Sequence, residues 1–169
     1  ERAARTDHEA RDVIAGDVVH HLAAEMQDLA LAVDDARTED VVARGAGTSL
    51  SGGALPDKRG VLVAMAKFRS IVSIDPLAQT AVVQPGVRNL AISEAAARYG
   101  LYYAPDPSSQ IACTIGGNVG ENAGGVHCLK YGLTVHNIRR VRAVLITGES
   151  VEFGGDALDS AGYDLLALV

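Results

Sequence analysis

The apolar positions of this chain of 169 residues fall into short runs that predict strands and helices in turn. Residues 11–14 predict a strand, and Asp17 is placed to cap a helix that runs to Arg37. Within that helix, apolar side chains recur at spacings of three and four, at Val18, Leu22, Met26, Leu29 and Val33. Residues 40–43 then predict a second strand, so a strand–helix–strand unit opens the chain.

The middle of the chain predicts a buried strand, a hairpin and a helix. Residues 61–65 form a compact apolar run of the kind found in buried strands. Residues 70–74 and 80–84 predict two strands that are joined by an Asp-Pro turn signal. Residues 89–99 predict a helix, and Gly100 stands where a C-cap is expected.

The C-terminal part predicts one more pair of strands. Residues 138–146 and 151–153 predict two strands, and a turn signal at residues 147–150 separates them. A short helix is predicted over residues 163–168. The length of the chain suits one domain or most of one.

Two glycine-rich segments lack this periodicity. We call residues 44–53 the first glycine segment and residues 105–125 the second. Irregular segments as long as the second are usually functional in a compact domain. Their glycines let consecutive backbone N–H groups converge into a nest that binds an anion, and Arg44 could add charge. The pattern indicates a bound phosphate or pyrophosphate, and tight structural turns are the alternative.

Neither familiar nucleotide motif accounts for these segments. A P-loop requires a Lys after its last glycine, and no Lys follows the glycines here. The dinucleotide fingerprint G-x-G-x-x-G fits Gly45 and Gly47, but Leu50 stands where the last glycine is required. The first glycine segment also continues as S-G-G-A-L-P, which does not begin a helix.

Composition narrows the range of partners. The net charge of −6 argues against nucleic acid as a partner, since nucleic-acid binders normally show a basic stripe. No apolar run approaches the roughly 20 residues of a membrane span, so no membrane span is expected. The two cysteines, Cys113 and Cys128, are expected to be free thiols in a reducing cytoplasm.

Three segments carry a resemblance to a known family. They read V-V-A-R-G-A-G-T-S-L-S-G-G-A-L-P at 41–56, V-Q-P-G-V-R-N-L at 83–90 and Y-Y-A-P-D-P-S-S-Q-I-A-C-T-I-G-G-N-V-G-E-N-A-G-G-V-H-C-L-K-Y-G-L-T at 102–134. In order and spacing they resemble the FAD-binding domain of FAD-linked oxidases of the vanillyl-alcohol oxidase type, over residues 41–168. The resemblance implies an α+β fold, the PCMH-type FAD-binding domain, with two α/β subdomains and FAD between them.

The resemblance also implies which residues meet the cofactor. The first glycine segment would wrap the pyrophosphate, and the second would follow the pyrophosphate and the flavin ring. The residues so implied are Arg44, Gly45, Ala46, Gly47, Thr48, Ser49, Gly52, Gly53, Pro85, Gly86, Val87, Pro105, Asp106, Ser108, Ser109, Cys113, Thr114, Gly116, Gly117, Asn118, Asn122, Gly124 and Gly125. Some relatives attach the flavin covalently through a His, but Thr48 takes that place here, so non-covalent FAD is expected.

The activity implied by the resemblance is that of a flavin-dependent 2-hydroxy-acid dehydrogenase. The members that this chain resembles most convert glycolate to glyoxylate by hydride transfer to FAD, and D-lactate and D-2-hydroxyglutarate are alternative substrates. Electrons would leave to an iron–sulfur or other electron-transfer subunit, or to a quinone pool. The expected location is the cytoplasm, or the periphery of the inner membrane through partner subunits. The alternative from a different class of function is a non-catalytic or inert fragment of a flavin-binding domain.

Parts of the family pattern are missing from the chain. Residues 1–40 match the pattern weakly, and the substrate-binding cap domain that follows in the family is absent. Residues 1–169 are therefore expected to be an incomplete FAD-binding domain that is truncated at its C-terminus. No catalytic residue is assigned, and no metal ligand is expected.

A few single side chains have two interpretations each. His127 and Cys128 are conceivable as a base or as metal ligands, but a packed or hydrogen-bonded role is the default. Asp106 lies between two prolines and is expected to form a turn. Arg139, Arg140 and Arg142 are expected by default to lie on a solvated strand face. Salt bridges or contact with a partner subunit are the alternatives.

Overall fold

The structure, a computed structural model, describes residues 11–13, 41–56, 58–145, 147–155 and 162–168. The helix predicted over residues 17–37 lies outside the described residues. The strands are β1 (Arg11–Val13), β2 (Val41–Arg44), β3 (Val61–Ala64), β4 (Ile71–Asp75), β5 (Thr80–Val83), β6 (Leu101–Tyr103), β7 (Arg140–Val144) and β8 (Ser150–Gly154). The α-helices are α1 (Asn89–Ala96), α2 (Ile115–Gly120) and α3 (Cys128–Tyr131), and 3₁₀ turns cover Met65–Lys67, Ala97–Tyr99, Thr134–Asn137 and Leu165–Leu168.

The described strands pair two by two. β1 runs parallel to β6, and β2 runs parallel to β3. The pairs β4–β5 and β7–β8 are antiparallel hairpins. The sequence predicted seven of these strands, with ends that differ by at most two residues, and it missed β6. The short helix predicted near the C-terminus is the 3₁₀ turn Leu165–Leu168.

One apolar cluster joins β5, β6, β7, α1 and α2. Val83 of β5, Ile92 of α1 and Ile115 of α2 have no exposed surface, and fully burying such a side chain stabilises the fold by about 1.5–3 kcal/mol. Val141 of β7 belongs to the same cluster, and Leu166 packs against it. The second glycine segment, which contains Ile115, is thus anchored in this core.

The end of α1 follows the chemistry that the sequence predicts. The helix tightens into a 3₁₀ turn at Ala97–Tyr99, and Gly100 then takes a φ of 71°. This left-handed conformation costs glycine little, because it has no Cβ. The Gly100 N–H donates to the carbonyl of Ala97 at 2.9 Å. The predicted C-cap is confirmed.

The prediction of an irregular segment between residues 105 and 125 is wrong at α2. This helix reads I-G-G-N-V-G, and each glycine in a helix interior costs about 1 kcal/mol relative to Ala. The helix forms because Ile115 is fully buried and because the N–H of Asn118 donates to the Thr114 carbonyl at 2.9 Å. Tertiary packing therefore overrides a weak local propensity.

The described residues contain neither a membrane-spanning helix nor a metal-binding cluster. No described helix combines the length and apolarity that crossing a bilayer requires. The same residues hold no group of three or more His, Cys, Asp or Glu side chains placed to bind a metal ion. Cys113 and Cys128 are free thiols, as expected, and Cys113 is buried.

Candidate functional site

The two glycine segments line one cavity of about 620 Å³. Fourteen of the predicted cofactor residues lie in its wall, and they come from both segments and from the turn after β5. They are Arg44, Gly45, Ala46, Gly47, Thr48, Ser49, Gly53, Pro85, Ser109, Cys113, Thr114, Gly116, Gly117 and Asn118. The structure thus brings together, in one cavity wall, fourteen of the residues that the family resemblance implied as cofactor contacts.

Backbone hydrogen bonds fasten the second glycine segment to the start of α1. The N–H of Asn89 donates to the Cys113 carbonyl, and the N–H of Leu90 donates to the Gln110 carbonyl, each at 3.0 Å. The first N–H groups of a helix have no partner within the helix. These two are satisfied by the loop, so the start of α1 holds the cavity wall in place.

The turn after β5 accepts two further hydrogen bonds from the same segment. The N–H of Ile115 donates to the Val87 carbonyl at 2.8 Å, and the N–H of Gly116 donates to the Pro85 carbonyl at 2.9 Å. A Cβ on Gly116 would lie 2.7 Å from the Cβ of Pro85 and 3.1 Å from its carbonyl oxygen. The close approach of the two chains therefore requires glycine at position 116.

The first glycine segment begins where β2 ends, at Arg44. The next residue, Gly45, lies against Thr114, and a Cβ on Gly45 would overlap the Thr114 hydroxyl. Farther along, the Ser51 hydroxyl donates to Glu121 Oε2 at 2.9 Å. The first glycine segment thus meets the second at two places, one against Thr114 and one against Glu121.

Two buried polar atoms in the cavity wall have no hydrogen-bond partner in the part of the chain that the structure describes. They are the Thr114 hydroxyl oxygen and the Asn118 Nδ2. A buried polar group without a partner costs about 1–3 kcal/mol, and native proteins keep few such groups. A hydroxyl can donate or accept and an amide nitrogen donates, so this pair fits a guest rich in oxygen acceptors.

The charged residues that line the described cavity are Arg44, Arg142 and Glu121. Two arginines against one carboxylate favour an anionic guest. Arg142 is also held by Glu152, with Nη2 at 3.1 Å from Oε2, and Arg140 contacts the same carboxylate at 3.2 Å. The hydrogen bond from Arg142 is the main reason why the pKa of Glu152 lies below its usual value. Of the options for these two arginines, salt bridges are confirmed.

Nine predicted cofactor residues do not line this cavity. They are Gly52, Gly86, Val87, Pro105, Asp106, Ser108, Asn122, Gly124 and Gly125. Some of them support the wall from behind, since the Val87 carbonyl holds Ile115 and the Gly86 N–H donates to the Phe68 carbonyl at 2.7 Å. Their contact with a cofactor stays a prediction.

Asp106 does not form the turn that was expected of it. The turn comes later and is closed by the Gln110 N–H, which donates to the Pro107 carbonyl at 2.8 Å. The following proline restricts Asp106 to extended backbone, which explains why the turn starts after it. Its carboxylate instead binds His127, with Oδ2 at 2.6 Å from Nδ1 and Oδ1 at 3.2 Å from the backbone nitrogen.

This pairing affects both residues. Although desolvation acts to raise the pKa of Asp106, the hydrogen bonds from His127 outweigh it and hold that pKa below its usual value. The default interpretation of His127 as a hydrogen-bonded side chain is confirmed. The pair fastens the start of the second glycine segment to the residues just after its end.

Sequence reasoning missed several residues that line the cavity, of which Glu121, Met65 and Arg142 are the most informative. Ser51 lies in the first glycine segment, which was expected to wrap the pyrophosphate, whereas Glu121 lies in the second and was given no role. A carboxylate is also not expected beside an anion. Met65 lies in the 3₁₀ turn after β3 and Arg142 lies in β7, and no local pattern marks either as a cavity residue.

Comparison with known proteins identifies the family. A family model described as FAD binding domain matches residues 19–154. The chain belongs to this family. FAD is the cofactor of the domain, and both the family and the α+β fold that the resemblance implied are confirmed.

Similar proteins of established description include two glycolate oxidase subunits. The chain is 67% identical over 128 residues to the glycolate oxidase subunit GlcD of Escherichia coli (strain K12), which covers 76% of this chain and 26% of that protein. It is 44% identical over 129 residues to GlcD of Bacillus subtilis (strain 168), with 76% and 27% covered. A D-lactate dehydrogenase of Archaeoglobus fulgidus is 38% identical over 130 residues, with 76% and 29% covered. The chain therefore spans roughly a quarter of the length of these relatives.

Among solved structures, an alkyldihydroxyacetonephosphate synthase superposes with a TM-score of 0.73 at 20% sequence identity. The match covers 90% of this chain and 27% of the synthase. Similarity at this level of identity shows a shared fold.

Gly116 and Gly120, both in α2, offer a matched test of the close approach between α2 and Pro85. Gly116→Ala is expected to lower the free energy of unfolding by about 1–3 kcal/mol, because its methyl group would overlap Pro85. Gly120→Ala has open space around the new methyl group, and its higher helix propensity is expected to leave stability unchanged or to raise it by up to about 1 kcal/mol. Chemical denaturation of the apoprotein measures both, and equal effects would contradict the packing argument.

Proposed function

We propose that the cavity between the two glycine segments holds FAD, with the first segment at the pyrophosphate and the second along the flavin ring. The observation that carries this proposal is the pair of buried polar atoms, the Thr114 hydroxyl and Asn118 Nδ2, which line the cavity without a partner among the described residues. The phosphate and flavin oxygens of FAD supply the missing acceptors. The excess of arginine over carboxylate in the lining supports an anionic cofactor.

The chain's own part in the reaction is to bind and orient this cofactor. FAD, when bound, accepts a hydride from a substrate, and such chemistry belongs to the cofactor. Backbone amides of the glycine segments are the donors for the pyrophosphate. Apolar residues of the lining, among them Met65, Pro85 and Val144, exclude water from the cavity.

The FAD is bound without a covalent link in this proposal. Thr48 lines the cavity at the position where some relatives carry a His, and a threonine hydroxyl does not form the histidyl bond. The described lining contains no His. Binding therefore rests on hydrogen bonds, charge and burial.

Acid precipitation tests whether the protein holds FAD without a covalent bond. Purified protein is expected to show flavin absorbance, either as isolated or after incubation with FAD, and acid is expected to release the flavin into the supernatant. Flavin that stayed in the pellet would contradict the proposal and would direct attention to Cys113, the cysteine of the described lining.

Thr114→Val tests the proposed hydrogen bond to FAD. The substitution keeps the shape of the side chain and removes a buried hydroxyl that has no partner in the described protein. Apoprotein stability is therefore expected to stay the same or to rise slightly, while the Kd for FAD is expected to rise about tenfold. Fluorescence titration with FAD measures the Kd, and thermal unfolding measures the stability. A variant that lost stability and kept its affinity would show that the hydroxyl serves the fold.

As part of a longer enzyme, the domain is proposed to serve the oxidation of glycolate to glyoxylate. The support is sequence similarity, since the chain is more similar to two glycolate oxidase subunits than to a D-lactate dehydrogenase. In this reaction the α-carbon gives a hydride to FAD and the hydroxyl loses its proton. D-Lactate and D-2-hydroxyglutarate are the alternative substrates.

The proposal extends to partners and location by the same similarity. The relatives are named as subunits of glycolate oxidase, so we infer that the electrons leave to an iron–sulfur or other electron-transfer subunit. The enzyme would then act in the cytoplasm or at the periphery of the inner membrane, through such subunits.

Anaerobic flavin reduction tests the proposed substrate. In a polypeptide that joins this domain to the further length found in its relatives, glycolate is expected to bleach the flavin band near its absorbance maximum. D-Lactate and D-2-hydroxyglutarate are expected to bleach it more slowly, and rates from stopped-flow absorbance compare the three. If D-lactate or D-2-hydroxyglutarate bleached the flavin faster than glycolate, that acid would become the proposed substrate.

A further inference from the structure

The Ser51–Glu121 hydrogen bond joins the two glycine segments across 70 residues of sequence. Both residues line the cavity. The other hydrogen bonds of the first segment are local, from the Ser51 N–H to the Ser49 hydroxyl at 3.1 Å and from the Leu55 N–H to the Gly52 carbonyl at 3.0 Å. Within the described chain, Ser51 and Glu121 therefore form the one hydrogen bond that ties residues 45–55 to the rest of the protein.

The carboxylate of Glu121 has a second effect on any anion in the cavity. It is the only acidic side chain in the described lining, whose cations are Arg44 and Arg142. Arg142 already contacts Glu152 at 3.1 Å. A pyrophosphate in the cavity would be repelled by the same carboxylate that holds the first glycine segment in place.

We propose that Ser51 and Glu121 form a clasp that positions the first glycine segment over the cofactor and sets the rate at which FAD leaves. The hydrogen bond slows release, because the segment must swing away from α2 for the pyrophosphate to escape. The negative charge of Glu121 speeds release, because it repels the pyrophosphate. The inference rests on the proposed function, and it makes Ser51 and Glu121 positioning residues.

Two substitutions separate the hydrogen bond from the charge. Ser51→Ala removes the bond and keeps the charge, so FAD release is expected to be roughly three- to tenfold faster. Glu121→Gln keeps an oxygen that accepts from Ser51 and removes the charge. Its release is expected to be about two- to threefold slower than in the wild type and less sensitive to ionic strength.

Three further variants test how the two residues act together. Glu121→Ala removes both effects, so its release rate is expected between those of the wild type and Ser51→Ala. The double variant Ser51→Ala/Glu121→Ala is expected to match Glu121→Ala, because a broken bond has no second partner to lose. Ser51→Thr keeps the hydroxyl and is expected to restore the wild-type rate.

The measurement is the recovery of free FAD fluorescence after the FAD-loaded chain is diluted into an excess of ADP, a non-fluorescent competitor that blocks rebinding, at low and high salt. Glu94→Gln is the control for charge, since Glu94 is exposed on α1 and lies outside the cavity lining. It is expected to leave the release rate unchanged. Thermal unfolding of each apoprotein checks that the variants fold.

The outcomes distinguish this inference from the proposed function. Equal release rates in the wild type and Ser51→Ala, faster release from Glu121→Gln, or additive effects in the double variant would overturn the clasp and leave FAD binding intact. A well-folded wild-type chain that took up no FAD would contradict the proposed function, and the clasp with it.

Discussion

Four backbone hydrogen bonds run between residues 85–90 and 110–116, and the cavity wall depends on them. They give the first N–H groups of α1 their partners, and they bring Gly116 against Pro85 so closely that a side chain would not fit. A loop held in this way keeps its shape without a regular ladder of its own. The second glycine segment can therefore present backbone and polar groups to a guest, although its sequence has little propensity for any regular structure.

The rigidity of this wall explains why unsatisfied polar atoms can persist in it. Thr114 is the N-cap of α2 and Asn118 lies within it. The helix is anchored by buried Ile115 and by the bonds to Val87 and Pro85. A flexible loop would turn these side chains toward water, because a buried group without a partner costs about 1–3 kcal/mol. The core instead holds them at the cavity. The core thus supplies the stability that keeps these two polar groups in the cavity wall, where the proposed ligand would meet them.

The local elements of this fold were largely predictable, and the contacts between them were not. The β4–β5 hairpin and the end of α1 follow from alternation, turn residues and Gly100, all of which act within a few residues. By contrast, α2 has three glycines among six residues and forms through packing against distant segments. The same holds for the Asp106–His127 pair and for the Ser51–Glu121 bond, which join residues 21 and 70 positions apart. The glycine content predicted where the site is, and its long-range contacts required the structure.

The electrostatics of the cavity show how a domain of this kind can bind FAD and still exchange it. If the cavity were lined by arginines without a carboxylate, it would hold a pyrophosphate more tightly. Without the hydrogen bond to Glu121, the first glycine segment would lose its fixed position over the cavity. The carboxylate of Glu121 both holds the first glycine segment through Ser51 and repels the pyrophosphate. Because one side chain has both effects, small movements of the loop change them together. Since Ser51 and Glu121 are exposed, solvent screens both effects, and each is expected to be modest. Such a balance suits a cofactor that stays bound without a covalent link, because the wall holds the cofactor while the clasp sets how fast it leaves.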